Sequence, residues 1–187
     1  MTSADERLMA RALRSAEAGA EWCVAAPRTA VLVVRDGEVR FEFVGRAGPE
    51  GAWEQALRNA GAGDTLVSPL PPPASQFDQV RAVGPGALVL GSAMPGGLEG
   101  VEVRAGILEA SCAELNPAVL CGRPWVRLKL AMSLDGRTAL SNGASQWITG
   151  SDARADVQRL RARSGALVTG VGTVLADDPR LNVRTGD

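Results

Sequence analysis

Apolar residues at the start of the chain recur with the period of a helix. Ser3 and Glu6 have the spacing of a capping box, in which each side chain bonds the backbone N–H of the other residue. Met9, Leu13 and Ala16 continue an apolar stripe at intervals of three and four residues. The pattern predicts a helix of about 15 residues that begins at this cap.

A β-hairpin is predicted after this helix. Residues 29–35 (TAVLVVR) are rich in β-branched side chains, and Asp36-Gly37 is a strong two-residue turn. Charged and apolar residues then alternate from Glu38 to Phe43, as in a strand with one buried face. The two runs and the turn between them favour an antiparallel pair of strands.

Shorter patterns continue the alternation of helices and strands. They predict a helix at 52–59, strands at 65–67, 87–90 and 101–105, and a helical piece at 111–115. The proline-rich loop at 69–73 (PLPPP) cannot lie inside a sheet, because proline donates no ladder hydrogen bond. This order of elements indicates an α/β layer arrangement.

The last third of the chain has the pattern of a β-α-β unit across 125–171. Residues 125–132 (WVRLKLAM) alternate as a strand does. A variant capping box at Thr149 predicts a helix to about Ala162, and residues 166–171 (ALVTGV) have the composition of a buried strand.

The faces of these elements can also be predicted. The first strand carries a core-facing set, Val126, Leu128, Leu130 and Met132, and a set that can face a ligand, Arg127, Lys129 and Ala131. The helix has a stripe expected to be buried, Ala153, Val157 and Leu160. Arg154 and Arg161 are seven residues apart and share another face of the same helix.

Composition excludes several classes of active site. The chain contains no histidine, which excludes a Ser-His-Asp triad, a Cys-His pair and a His-ligated metal site. Cys23, Cys112 and Cys121 are odd in number and form no CxxC motif. We therefore expect reduced thiols that fill the core of a cytoplasmic protein. No run of about 18 apolar residues exists, so no membrane span is expected.

Charge is divided unevenly along the chain. Residues 1–120 carry 10 basic and 15 acidic side chains, a net charge of −5, whereas residues 121–187 carry 10 and 6, a net charge of +4. The positive last third suits an anionic small ligand. It contains no dense Lys/Arg run and no aromatic platform, so nucleic-acid binding is not expected.

Three runs in this last third resemble a known family. The segments KLAMSLDGRTAL (129–140), SQWITG (145–150) and 156–184 closely resemble the reductase half of the RibD-type bifunctional riboflavin-biosynthesis deaminase/reductases. In that family this half has a dihydrofolate-reductase-like fold. It uses NADPH to reduce the ribose of 5-amino-6-(5-phosphoribosylamino)uracil to a ribityl chain.

The resemblance implies two sets of binding residues and assigns no catalytic one. NADPH would contact Ala131, Trp147, Thr173 and Asp177. The phosphorylated pyrimidine substrate would contact Ser145, Arg161, Leu181 and Arg184. These residue types suit the ligands, because two guanidinium groups can hold a phosphate and an indole offers a flat surface to a cofactor ring. Hydride transfer belongs to the cofactor and needs neither a metal nor a histidine.

The resemblance also places a deaminase-like domain at residues 1–118. The segments LMARALRSAE, AVLVVRDGEV and ALRNAG resemble the first helix, hairpin and second helix of the family's zinc deaminase. The implied fold is α/β, with a cytidine-deaminase-like three-layer domain followed at 123–187 by the start of the dihydrofolate-reductase-like domain.

The zinc-binding pattern of that deaminase does not match. The family has His-Ala-Glu followed by a Pro-Cys and a second Cys, whereas this chain has Gly51-Ala52-Trp53 and the proline-rich residues 68–73. A zinc deaminase needs three ligands to activate a water and a Glu to move its protons. We therefore expect that zinc is not bound and that deaminase activity is lost.

The family's reductase half continues beyond the point that matches Asp187. The remaining part would supply further strands, a glycine-rich loop for the NADPH phosphates and an acidic substrate contact. Without it the predicted strands have open edges that another chain could cover, so a homodimer is expected. The leading hypothesis is a RibD-type reductase with a degenerate deaminase domain. The alternatives are a non-catalytic deaminase-like scaffold or binding module, and a truncated gene product without function.

Overall fold

The structure, a computed structural model, divides into two compact units at residues 1–124 and 125–187. The residues it describes are 3–19, 27–45, 49–94, 96–118 and 123–184. In the first unit the helices and strands are α1 (Ala4–Ala18), β1 (Ala30–Arg35), β2 (Glu38–Val44), α2 (Pro49–Asn59), β3 (Thr65–Ser68), a 3-10 turn (Ala74–Gln76), α3 (Phe77–Val83), β4 (Ala87–Leu90), β5 (Glu102–Arg104) and α4 (Glu109–Leu115).

The five strands of this unit form one mixed sheet. Their order is β2-β1-β3-β4-β5. β1 is antiparallel to β2 and to β3, whereas β3, β4 and β5 run parallel to one another. The predicted strands at 65–67, 87–90 and 101–105 are thus confirmed to within a residue or two of their ends.

The predicted capping box begins α1. The hydroxyl oxygen of Ser3 accepts from the backbone N–H of Glu6 at 3.1 Å, and the Glu6 carboxylate accepts from the Ser3 N–H at 2.7 Å. Together they satisfy two N–H groups that the first helical turn leaves unpaired. The helix has the expected 15 residues and buries Met9, Ala12 and Ala16, of which Met9 and Ala12 pack with apolar residues of the sheet.

The predicted hairpin is also confirmed. Asp36 and Gly37 both have positive φ, +54° and +77°, as the tight turns that suit right-twisted strands require. A register irregularity between Val33 and Val34 adds a local bulge. β1 is buried along its length as far as Val34, so the strand is central to the sheet.

Alternate residues of β1 divide the core into two layers. Val31 and Val33 pack on the side of α2 and α3, and Leu32 and Val34 pack on the side of α1 and α4. Period-two alternation gives a central strand two apolar faces, and each face is covered by helices. The unit is therefore a three-layer α/β/α arrangement.

The structure contains a helix in this unit that the sequence patterns do not predict. α3 has seven residues, which is too short for a clear helical period, and it ends at Gly84 with the left-handed φ of +63°. Cys112 lies in α4 and is buried, as expected of a core thiol. Burial, and secondarily the charge of Glu109, raises the pKa of this thiol to about 11. Cys23 and Cys121 lie outside the described residues.

Trp53 joins α2 to the proline-rich loop. Its side chain is fully buried, and the indole N–H donates to the carbonyl oxygen of Leu70 at 3.3 Å. Close by, the Gln76 side-chain amide donates to the carbonyl of Glu50 at 3.0 Å. The start of α2 and the segment 70–76 are thus held together by one large ring and two hydrogen bonds.

Arg35 and Asp64 form a partly buried ion pair at one end of β1. The guanidinium donates from Nε to Oδ1 and from Nη2 to Oδ2 of Asp64, both at 2.8 Å, and the Gly61 N–H donates to Oδ2. Asp64 is only 3% exposed, whereas the Arg35 side chain is about half exposed. The hydrogen bond from Arg35 holds the pKa of Asp64 below its ordinary value.

The second unit contains two helices among its described residues, α5 (Ser151–Ala162) and α6 (Val171–Asp177). The predicted helix near 149–162 is confirmed, but the predicted capping box at Thr149 is wrong. Gly150 is the cap residue and no side chain bonds the first turn. α6 is a helix that the sequence patterns do not predict.

The predicted strands at 125–132 and 166–171 are wrong, and with them the β-α-β unit. Both segments are irregular. A strand exists only where a neighbouring backbone pairs with it, and within the described residues no strand lies beside either segment. The alternating pattern of 125–132 is real, but no described residue of this unit pairs with that segment as a strand.

The predicted buried face of α5 is also wrong. Ala153 is exposed, Val157 and Leu160 are half-buried, and the helix has no buried residue. Large apolar side chains of this unit are exposed, namely Trp125, Val126, Leu128, Leu130, Met132, Leu134, Leu140, Trp147, Leu167, Val168, Val171, Val174, Leu175 and Val183. The unit as described does not enclose a core. No helix in the described residues is long and apolar enough to cross a membrane.

The Arg35–Asp64 pair predicts an acid-sensitive contribution to stability. Because the folded-state pKa of Asp64 lies below its ordinary value of 3.8, the stabilisation is present above that pH and is lost as pH falls through the folded pKa. Asp64→Asn is expected to reduce the free energy of unfolding by about 1 to 3 kcal/mol at pH 7. Urea midpoints of variant and wild type should converge in acid. Asp78→Asn, at an exposed ion pair, is the control, and a pH-independent Asp64→Asn effect contradicts the prediction.

Trp53 predicts a graded response to truncation. Trp53→Ala leaves a large cavity between α2 and the proline-rich loop, so we expect a loss of about 3 to 5 kcal/mol in the free energy of unfolding. Trp53→Phe keeps most of the apolar volume and loses the bond to Leu70, so its effect should be clearly smaller. Urea unfolding followed by circular dichroism measures both. Equal effects of the two variants would show that the packing argument is wrong.

Candidate functional site

One face of α5 carries the residues that organise the second unit. Arg154, Gln158 and Arg161 follow one another at intervals of four and three residues, so they lie along the same side of the helix. Each of the three side chains contacts a segment that flanks the helix. We call this side the α5 polar face.

At the N-terminal end of the α5 polar face, Arg154 makes two contacts. Its guanidinium carbon lies 4.6 Å from the centroid of the Trp147 ring, within the range of a cation–π interaction. Its Nη1 atom donates to the carbonyl oxygen of Thr149 at 2.6 Å. The indole is nevertheless 72% exposed, so most of its surface is open to a ligand.

At the C-terminal end of this face, two hydrogen bonds hold the segment 182–184. Nη1 of Arg161 donates to the carbonyl oxygen of Asn182 at 3.4 Å, and the Gln158 side-chain oxygen accepts from the N–H of Arg184 at 3.0 Å. Leu181 has a positive φ of +48°, and the Asn182 N–H donates back to the carbonyl of residue 180 at 2.6 Å. This tight turn directs the chain back to α5.

The structure therefore brings together three of the four predicted substrate contacts. Arg161 is in the C-terminal half of α5, and the bonds to residues 182 and 184 hold the segment that contains Leu181 and Arg184 beside it. Trp147 lies beside Arg154 in the N-terminal half of the helix. Arg159, two residues before Arg161 on the same helix, pairs with Asp156 at 3.2 Å. Arg161 has no carboxylate partner among the described residues, so its charge is available to an anion.

The other predicted contacts lie elsewhere in the unit. Thr173 and Asp177 are four residues apart on α6 and are both exposed, so a hydroxyl and a carboxylate share one accessible face. Ala131 and Ser145 lie in irregular segments. Within the described part of the chain, no hydrogen bond or ion pair links these residues to the α5 polar face.

Sequence reasoning missed the contacts of two residues. It placed Arg154 on a common face with Arg161 but gave it no partner, and it did not consider Gln158. The spacing of the three residues was the available signal, because a polar row at helical spacing predicts one shared surface. Their partners could not be predicted, since these lie in irregular segments before and after the helix.

In the first unit, the residues that align with the family's zinc-binding pattern lie at the start of α2 and in the proline-rich loop. Ala52 and Trp53 are fully buried there, and the buried hydroxyls of Thr29 and Ser68 bond each other at 2.9 Å. No cluster of three His, Cys, Asp or Glu side chains that could hold a metal occurs in the described residues. The polar groups present at this place are hydroxyl, amide and carbonyl groups, and among the buried side-chain nitrogen and oxygen atoms of the described residues only Oε1 of Gln76 lacks a hydrogen-bond partner.

Sequence comparison finds similarity to RibD proteins in both units. Residues 124–187 match the family model of the RibD C-terminal domain. Riboflavin biosynthesis protein RibD of Escherichia coli K12 is 39% identical over 96% of this chain, which covers 56% of that protein. The Haemophilus influenzae RibD protein is 36% identical over 98% of this chain, again with 56% of the relative covered.

Solved structures agree with the sequence comparison. RibD of Acinetobacter baumannii, form 1, superimposes with a TM-score of 0.82 at 38% identity, over 97% of this chain and 58% of that one. A Thermotoga maritima diaminohydroxyphosphoribosylaminopyrimidine deaminase/5-amino-6-(5-phosphoribosylamino)uracil reductase gives 0.80 at 30% identity, over 97% and 59%. The resemblance thus extends to the mixed α/β architecture with its five-stranded sheet.

The chain spans about half the length of the curated relatives it matches. Those relatives align with nearly all of its residues, including the unit that contains the sheet, and the family model covers the second unit. Residues 124–187 therefore belong to the RibD C-terminal domain family, and nearly all of the chain is similar to about half of the RibD riboflavin-biosynthesis proteins.

Proposed function

We propose that the chain takes part in riboflavin biosynthesis as a 5-amino-6-(5-phosphoribosylamino)uracil reductase that uses NADPH. The observation that carries the proposal is the α5 polar face, which gathers Arg161, Leu181 and Arg184 at one end and Trp147 at the other. Three of the four substrate residues that the resemblance implies thus lie near one end of this face, and one of the four implied cofactor residues lies near the other. The solved Thermotoga maritima relative carries the same reductase name.

Within this proposal the two units have different ancestry. Residues 1–118 form a cytidine-deaminase-like domain, and residues 123–187 form part of a dihydrofolate-reductase-like domain. The three-layer arrangement around the mixed sheet supports the first assignment. The match of residues 124–187 to the RibD C-terminal domain supports the second.

The substrate phosphate is assigned to Arg161 and Arg184, with Ser145 and Leu181 beside the rest of the ligand. Guanidinium groups bind phosphate through short charge-assisted hydrogen bonds, often two at a time. The bond from the Arg184 N–H to Gln158 holds the backbone of this residue at the same end of α5 as Arg161. An anion placed there would meet the charge of Arg161, and the exposed Arg184 belongs to the segment held beside it.

NADPH is assigned to Ala131, Trp147, Thr173 and Asp177. The residues present fit a cofactor of this kind, because an exposed indole offers a flat apolar surface and the exposed Thr173 and Asp177 offer a hydroxyl and an acceptor on one helix face. When bound, NADPH supplies the hydride. The residues of this chain bind and orient the two ligands, and none of them is assigned a proton-transfer step.

We further propose that the first unit neither binds zinc nor deaminates. The buried indole of Trp53 fills the space between α2 and the proline-rich loop, which is where the resemblance would put the family's zinc centre. A zinc-activated water needs an open coordination position, and a packed ring supplies none.

A non-catalytic scaffold or binding module is the second candidate. The exposed apolar side chains of 125–184 favour it, because they would be covered in an assembly. The same observation supports a homodimer.

The absence of a cysteine-rich motif supports a cytoplasmic location.

The reductase proposal predicts NADPH oxidation that depends on the phosphoribosylaminouracil substrate, followed by absorbance. Arg161→Ala should raise the KM for this substrate about 10- to 100-fold, because a charge-assisted contact to the phosphate is lost. Arg159→Ala, on the same helix but paired with Asp156, should change it little. If the wild-type chain shows no turnover and binds no NADPH, the reductase proposal is rejected in favour of the scaffold.

The zinc-free proposal predicts a negative result with a defined control. The purified chain, incubated with added zinc and the pyrimidine deaminase substrate, should release no ammonia above background, because no described side-chain cluster can hold the metal. A RibD protein with the intact His-Ala-Glu and cysteine pattern serves as the positive control. Zinc-dependent ammonia release by this chain overturns the assignment.

A further inference from the structure

We propose that Arg154 is a positioning residue that holds the Trp147 indole in the orientation in which it meets the cofactor. This inference rests on the proposed function and deepens it, since it adds a residue that the family resemblance does not assign. Arg154 would act through Trp147, without touching the cofactor itself. The proposal stands on the two contacts that the Arg154 side chain makes at the start of α5.

The two contacts make one guanidinium a clamp for a short segment. The group lies over the ring of Trp147 with 4.6 Å between its carbon and the ring centroid, and it donates to the carbonyl of Thr149 at 2.6 Å. The backbone N–H of Arg154 donates to the carbonyl of Gly150 at 3.1 Å, which fixes the arginine in the first turn of α5. Residues 147–150 are therefore tied to a helix at three points.

Trp147 needs such a clamp because little else holds it. The indole is 72% exposed in an irregular segment, so packing alone does not select its rotamer. A mobile side chain that must become ordered when a ligand binds weakens binding, since its conformational entropy is lost in that step. A guanidinium on one face of the ring supplies the order in advance and leaves the rest of the surface exposed.

Arginine suits this task better than lysine. Its planar fork can lie against an aromatic face and still direct an N–H group to a carbonyl, whereas an ammonium is a single point that makes one such contact well. Lysine at position 154 would keep the charge but not both contacts. Comparing Arg154→Lys with wild type therefore separates the effect of the positive charge from that of the two contacts.

The test is a double-mutant cycle on NADPH binding by the full chain, measured by calorimetry. Arg154→Met should raise the dissociation constant for NADPH about fivefold, the size expected when a cation–π contact to an exposed ring is lost. Arg154→Lys should raise it as well, by a smaller factor. Arg159→Met removes the same charge from the same helix and should leave it within about twofold of wild type.

The cycle separates positioning from a direct role. In a Trp147→Ala background, Arg154→Met should add almost nothing, because the ring through which the arginine acts is gone. A full additional loss in that background overturns the proposal, since Arg154 would then contact the cofactor by itself. An unchanged dissociation constant in the Arg154→Met single variant overturns it too.

A ligand-free measurement keeps this test independent of the reductase proposal. The near-ultraviolet circular dichroism of an ordered indole is found as the difference between wild type and Trp147→Ala. Arg154→Met should abolish that difference signal, and Arg159→Met should retain it. If wild type binds no NADPH, the proposed function fails while this signal still decides the positioning. A signal that persists in Arg154→Met rejects it.

Discussion

A β-strand is stable only when its backbone hydrogen-bonding groups are paired, and this requirement shapes both units of the protein. β1 has neighbours on both edges, β2 and β3, and helices on both faces. The parallel strands β3 to β5 extend the sheet from that centre. In the second unit, segment 125–132 has an equally clear alternating pattern but lies beside no strand among residues 123–184, and it is irregular there. Similar alternating sequences thus form a strand in the first unit and an irregular segment in the second, and the difference is whether another strand lies beside them.

The second unit is organised in another way, by side chains that bond the backbone of distant segments. Arg154 bonds the carbonyl of Thr149 before α5, and Gln158 and Arg161 bond residues 182–184 well after it. Such bonds satisfy single polar groups and enclose little apolar surface, so they order a local arrangement without building a core. The side chains of α5 therefore fix the positions of the segments before and after the helix.

The fold was predictable from sequence where the signal is local. The cap at Ser3 and the turn at Asp36-Gly37 depend on residues next to each other in the chain, and both are confirmed. The prediction of a strand at 166–171 was wrong because a strand forms only beside another strand, and the residues of this segment do not determine whether one lies there. For the site, the shared face of Arg154 and Arg161 followed from helical spacing, but their contacts depend on how remote irregular segments return to the helix.

Trp53 also limits how the first unit can change over evolutionary time. A carboxylate or imidazole at this position would have to enter a space now closed by a fully buried ring, beside the proline-rich loop that the ring holds. A single such substitution would bury an unpaired polar group and open a void before any metal could compensate. Variants with a metal ligand introduced at this position would therefore be less stable than the present protein. The loss of stability on replacing the indole therefore disfavours such substitutions, whatever the activity of the unit.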